Sequence, residues 1–188
     1  METFESERLY LRELAETDVT DEYLNWFRDD RVTGFLQAKN LTRAEIVEYM
    51  NYGRSSKTYY MYAICDKLND KHIGNLKIGP IDLRHNISDL VTVIGDTNYW
   101  GKGLATEIIK VGNMLAFEKY NIRKLTGGMY EGNTSSIKAY TKAGWVIEGR
   151  LIGHYQCDDG SVMDRVQVSC FNPKYFYQDE SSDWKAKK

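Results

Sequence analysis

Residues 98–105 read Asn-Tyr-Trp-Gly-Lys-Gly-Leu-Ala, and they join two segments of opposite periodicity. Before them, Leu90-Val91-Thr92-Val93-Ile94 is an apolar, β-branched run of the kind that forms a buried strand. After them, Leu104, Ile108, Val111 and Leu115 recur at helical spacing. A strand that turns on glycines into a helix is an anion site for a physical reason. The first-turn N–H groups of a helix have no intrahelical partner and lie at the positive end of its dipole. Gly101 and Gly103 carry no side chain that would hold an anionic ligand away from the backbone. Each charge-assisted amide contact contributes about 1.5–3 kcal/mol, so a few of them hold a pyrophosphate. The spacing is not the three-glycine dinucleotide pattern, because Ala105 stands third, and no Gly-Lys-Ser or Gly-Lys-Thr makes it a P-loop.

A second motif begins at Asn133 and continues through Ser136, Ile137, Tyr140, Gly144 and Trp145. Asn133 fits the N-cap of a short helix over 134–143 that Gly144 stops. Taken alone this is equally a capped amphipathic helix with a core tyrosine. Together, at this separation, the two motifs resemble the GNAT acyltransferases. The likeness is nearest to the branch holding ribosomal-protein N-terminal acetyltransferases, spermidine acetyltransferases and many amino-sugar acetyltransferases. Glu7-Arg8-Leu9-Tyr10-Leu11-Arg12, Ile94-Gly95-Asp96, Lys142-Ala143-Gly144-Trp145, Glu148-Gly149-Arg150 and Asp159-Gly160 with Asp164 extend it along the chain. Trp100 departs from many members of the family, which have glutamine or arginine there, and so leaves phosphate binding to the backbone.

The resemblance implies a single α/β (mixed α+β) domain over residues 1–174. It would have a central, mostly antiparallel sheet in which two parallel strands splay apart, flanked by about four helices. A polar tail, expected to fray, would follow over 175–188. It implies acetyl-coenzyme A as cosubstrate, with no metal, and an N-acetyltransferase that moves the acetyl group to a primary amine by direct attack in a ternary complex. Its coenzyme would rest on Trp100, Gly101, Lys102, Gly103, Leu104 and Ala105, with Lys102 equally readable as a solvated side chain. A backbone N–H near Val93 or Ile94 would face the oxyanion, and Asn133 and Ser136 would flank the pantetheine. Tyr140 would be the catalytic acid toward the leaving thiolate, since a phenol with a reference pKa near 10 can protonate a thiolate. Related enzymes often carry a glutamate where Leu90 stands, so no base is assigned; Asp89, His85 and Glu131 are the candidates.

The chain of 188 residues is long enough for one domain with a substantial core. Its formal charge of -2 gives no global attraction to nucleic acid, and no apolar run is long enough for a membrane span. Met1 to Glu5 has no signal-peptide character, which makes the cytoplasm the default. Cys65, Cys157 and Cys170 lack metal spacing, and the three histidines are scattered. Substrate choice falls to the aromatic-rich segments 26–39 and 49–60 and to the turn after His154. No dense acidic cluster stands there for a polyamine, which ranks a small amine such as an amino sugar above a protein or peptide N-terminus. A non-catalytic acyl-coenzyme A-binding module is the alternative, and a homodimer through the last strand or tail stays open.

Overall fold

Alternation of apolar and polar residues draws most of the sheet, and the computed structural model describes residues 4–187 of it. In chain order the elements are β1 (Phe4–Glu5), β2 (Leu9–Glu13), α1 (Asp21–Trp26), α2 (Asp30–Thr33), α3 (Arg43–Ser56), β3 (Tyr60–Asp66), β4 (His72–Asp82) and β5 (Ile87–Ile94). Then come α4 (Leu104–Glu118), β6 (Lys124–Tyr130), α5 (Thr134–Lys142), β7 (Val146–Gln156), β8 (Val162–Phe171), β9 (Phe176–Gln178) and β10 (Trp184–Ala186). Eight strands form one sheet in the order β1-β2-β3-β4-β5-β6-β8-β7. Every neighbour is antiparallel except β5 and β6.

That one parallel pair positions everything else. It is held only at Ile87↔Lys124, Ser88↔Leu125 and Asp89↔Thr126. Beyond Asp89 the two strands diverge, each still paired on its outer side, β5 with β4 and β6 with β8. The stripe read from the sequence, Leu104, Ile108, Val111 and Leu115, is buried and packs α4 on one face with Leu76, Leu90 and Leu125. On the other face α1 and α3 bury Tyr23, Leu24, Trp26, Ile46 and Met50 with Ala63 and Cys65. Side-chain alternation therefore sends Leu90 to the α4 face and Asp89 to the opposite one.

The short helix α1 begins after Thr20, whose hydroxyl accepts from the Tyr23 amide. Asp18 ends the 3-10 turn before it; its carboxylate accepts from the Ala15 amide at 2.8 Å and takes a bidentate ion pair from Arg12 at 2.6 Å. Thr42 and Glu45 form a capping box at the start of α3, which runs on to Ser56. The strand β4 runs through Gly79-Pro80, shifting register between Ile78 and Ile81 and then resuming. The helix α2 raises the expected four helices to five. The segment expected to fray is a hairpin of β9 and β10, anchored by buried Phe176 and by Trp184 stacked on Phe171 at 5.0 Å. Apolar residues at 176 and 184 within a polar run supply that anchor.

Candidate functional site

The glycine turn is built to leave amides open. Gly101 and Gly103 have φ of 74° and 76°, a left-handed conformation that costs other residues roughly 1–2 kcal/mol. Nothing lies within 4 Å of where their Cβ atoms would stand. Gly103 is the N-cap of α4 and offers no side chain to its first-turn amides. Side chains instead brace the turn from behind. Trp100 donates its indole N–H to the Ile94 carbonyl at 2.8 Å, so the residue that replaces a phosphate donor closes the loop. Arg8 donates to the Lys102 carbonyl at 3.1 Å and forks onto Glu107, at 2.5 and 2.8 Å. Glu107 also accepts from the Ser6 hydroxyl and the Arg8 amide.

A cleft of about 580 Å³ runs from this turn along Thr92, Val93 and Ile94, at the diverging end of β5, to α5. Trp100, Gly101, Gly103, Leu104 and Ala105 border one end, Val93 and Ile94 lie along its floor, and Asn133, Ser136 and Tyr140 form the far wall. Lys102 is the exception. Its ammonium lies over the Tyr99 ring at 5.3 Å rather than in the cleft. Asn133 caps α5, its carbonyl oxygen accepting from the Ser136 amide at 3.2 Å.

Tyr140 is buried at the root of the splay, edge-on to Trp145 at 4.8 Å. Its hydroxyl donates to the Leu90 carbonyl at 2.9 Å. Burial pushes its phenol up to about 12, so it keeps its proton and is a donor throughout the ordinary pH range. Beside it, the Thr92 hydroxyl is buried without a hydrogen-bond partner. The amide and carbonyl of one strand residue point to the same side. The carbonyls of Leu90 and Ile94 are taken from the splay side, so the amides of Thr92 and Ile94 point there too. Val93 pairs with Asn75 and directs its amide into the β4–β5 ladder. Of the two amides named from the sequence, that of Ile94 therefore faces the splay, together with that of Thr92, and that of Val93 faces β4.

The base candidates separate by position. His85 lies in the turn before β5, at the end of that strand away from the glycines. Glu131 is held by Arg150 at 2.5 Å. Asp89 stands at the last parallel pair, where its carboxylate accepts from the Thr126 hydroxyl. Further residues also line the cleft: Arg31, Val32, Phe35 and Leu36 from α2 and its exit, and, not anticipated from the sequence, Lys138 and Lys142 on α5. The first four fall in the segment read as substrate-selecting. The two lysines repeat along one face of α5 with Ser135 and Ala139, a stripe overlooked because its residues are polar. Among the described residues, no group of three or more His, Cys, Asp or Glu could hold a metal ion, and no helix is long and apolar enough to cross a membrane.

Comparison with known proteins agrees with this arrangement. A Bacillus licheniformis protein described as the uncharacterized N-acetyltransferase p20 is 26% identical over 181 residues, covering 93% of this chain and 99% of its own. The fold superimposes on spermidine N-acetyltransferase from Vibrio cholerae, solved in complex with CoA and spermine, with a TM-score of 0.79 and 19% identity over 88% of this chain and 96% of that one. It also superimposes on ribosomal-protein-S5-alanine acetyltransferase from Vibrio fischeri, with a TM-score of 0.77 and 19% identity over 92% and 98% of the two chains. Residues 8–146 match the family described as the acetyltransferase (GNAT) domain, and with most of its length so matched the chain belongs to the GNAT family and is an N-acetyltransferase.

Proposed function

We propose that the enzyme moves an acetyl group from acetyl-coenzyme A to a primary amine of a small molecule by direct attack in a ternary complex. One observation carries this reading: a single cleft joins the bare N-terminus of α4 to the splay where the Tyr140 hydroxyl sits. The pyrophosphate would rest on the amides after Gly101 and Gly103, with Lys138 and Lys142 adding charge beside it. The pantetheine then lies along β5 in place of the missing β6 partner, and its thioester reaches Thr92 and Tyr140.

The chemistry follows from those positions. The acceptor arrives as an ammonium and pairs with Asp89; loss of one proton to water frees its lone pair. Nitrogen attacks the thioester carbon, and the oxyanion is met by the amides on the splay side of β5. The carbon–sulfur bond breaks as the Tyr140 hydroxyl hydrogen-bonds to the departing thiolate. The second proton shed by the nitrogen ends on sulfur, giving amide, free thiol and one proton released. A phenol at about 12 facing a thiol near 8.5 makes complete transfer uphill by roughly 5 kcal/mol. Tyr140 therefore acts chiefly as a hydrogen-bond donor that the nitrogen's proton replenishes.

The entrance favours a small acceptor over a protein terminus. Lys39, after α2, reaches Asp158 in the β7–β8 turn at 2.8 Å and ties the segment that follows the cleft-lining residues Arg31, Val32, Phe35 and Leu36 to that turn. The test is thiol release from acetyl-coenzyme A against amino sugars, simple amines with polyamines, and peptides with free N-termini. Release with the first set supports the reading. Release with peptides alone overturns the small-molecule assignment, and failure to bind acetyl-coenzyme A in a direct titration overturns the cleft assignment itself.

A further inference from the structure

On the face of the sheet away from α4, a line of aromatic rings leads out of the cleft. Phe35 packs against Tyr130 at 5.7 Å, and Tyr130 stacks on Tyr155 at 4.1 Å. The Arg165 guanidinium lies over the Tyr155 ring at 6.0 Å. The guanidinium also lies across Gly128, where an added Cβ would stand 1.9 Å from its Nε and 2.2 Å from its Cζ. The φ of Gly128 is not in the left-handed range, so what sets this glycine apart is the space that it leaves. Burial leaves the Nε atom without any hydrogen-bond partner, and Arg165 forms no ion pair among the described residues. The neighbouring carboxylate in sequence, Asp164, is turned to the opposite face and engaged by Arg150 and the Gly153 amide. Asp89, near enough to act electrostatically on both Tyr155 and Tyr140, bonds to Thr126.

A guanidinium whose Nε is buried on a glycine shelf, and which has no carboxylate partner among the described residues, is held in place with its terminal nitrogens left to receive an oxyanion. Along this face of β6 come Thr126 with Asp89, then Gly128 under the guanidinium, then Tyr130 with Tyr155 and Phe35, so the cation stands between the carboxylate and the aromatic faces. We infer that the acceptor is an amine that also bears an anionic group, a carboxylate or a phosphate, which Arg165 binds while Asp89 faces the amine. The inference rests on the acetyltransferase reading above and names its acceptor class. A polycation would meet Arg165 as a like charge, so this class departs from the spermidine of the structural relative.

The test compares matched amines in the thiol-release assay. Glucosamine 6-phosphate against glucosamine gives the phosphate arm, 4-aminobutyrate against butylamine the carboxylate arm, and spermidine the polycation. In at least one arm the wild-type enzyme should prefer the anionic member by about 10- to 100-fold in kcat/KM, the range of a charge-assisted hydrogen bond. Arg165→Gln should bring that ratio down toward one, chiefly through KM, and Arg165→Lys should restore part of it. Acetyl-coenzyme A affinity of both variants, measured by titration, should match wild type and shows that they fold. Gly128→Val, which displaces the guanidinium, should lower the same ratio. Equal use of both members of each pair, preference for spermidine, or no turnover of either anionic amine by an enzyme that binds acetyl-coenzyme A overturns the inference. Absence of coenzyme binding would instead overturn the reading on which it stands.

Discussion

The two ends of the cleft are made of different material. At the coenzyme end the binding groups are backbone amides, set by two left-handed glycines and braced from behind by Trp100, Arg8 and Glu107. At the acceptor end they are side chains from β5, β6, β7 and β8 and the exit of α2, standing on the part of the sheet face opposite α4 that α1 and α3 do not cover. The first design fixes one ligand by geometry that side-chain changes barely touch. The second lets acceptor choice vary by substitution on a scaffold that stays put. If this contrast is right, mutations should separate cleanly into those that alter coenzyme affinity, those that alter acceptor preference and those that alter only the chemical step where the ends meet.

The largest effect should fall at that meeting point. Tyr140→Phe removes one hydroxyl and leaves the ring against Trp145, so kcat should drop about 100-fold or more with acetyl-coenzyme A affinity unchanged. A rate within twofold of wild type would mean that the hydroxyl only ties α5 to Leu90. Because burial holds the phenol near 12, the rate should rise with pH as the acceptor amine loses its proton, with no falling limb from Tyr140 below about pH 11. The sign is fixed by the active form, which is the protonated one, and a raised pKa extends its range upward.

Next comes the turn itself. Gly103→Asp places a carboxylate where it can accept from the very amides that the pyrophosphate needs. The cap gained offsets the left-handed strain of about 1 kcal/mol, so the melting temperature should stay near wild type while the coenzyme Kd rises. Gly103→Asn, equally tolerant of that backbone but neutral, should bind about tenfold more tightly than the aspartate variant. Equal affinities for the two variants would show that shape, not charge, governs this end.

This division also explains what could be read before the fold was seen. Glycine spacing, the β-branched run 90–94 and the stripe Leu104, Ile108, Val111 and Leu115 are local patterns, and they located the turn, β5 and α4. Asn133 and Tyr140 lie on one short helix and were equally legible. The acceptor end was not, because Phe35, Tyr130, Tyr155 and Arg165 meet only after four distant segments pair and cross. Asp89 could be assigned a face only once the parallel register with Thr126 was known, since a shift of one residue reverses it. The hairpin at 176–186 escaped because two aromatic anchors are diluted in charged sequence.

Smaller effects sharpen the picture of the bracing. Trp100→Phe keeps an aromatic ring but deletes the indole donor to Ile94. A neutral hydrogen bond at an exposed residue is worth the low end of about 0.5–1.5 kcal/mol, so coenzyme affinity should weaken about threefold. Acceptor KM should not move. A change in acceptor KM instead would mean that the two ends are coupled through β5.

The smallest effect tests the outermost brace. Burial favours the neutral acid at Glu107, but the Ser6 hydroxyl and the amide and guanidinium of Arg8 outweigh it and hold its carboxyl below the usual glutamate range. A depressed carboxylate stabilises the fold above its unfolded pKa, near 4.3, and loses that contribution as pH falls through the folded value. The brace should therefore be intact at neutral pH and fail only in acid. Arg8 is half exposed and screened by water, so the pair is worth no more than about 1 kcal/mol. Glu107→Gln should weaken coenzyme binding at pH 7 by a factor of about two to five. The gap between variant and wild type should close only in acid, as pH falls through the depressed pKa of the wild-type carboxyl and that group also becomes neutral. A gap that persists in acid would assign the loss to packing around position 107 rather than to its charge. The turn would then owe its shape to the glycines alone.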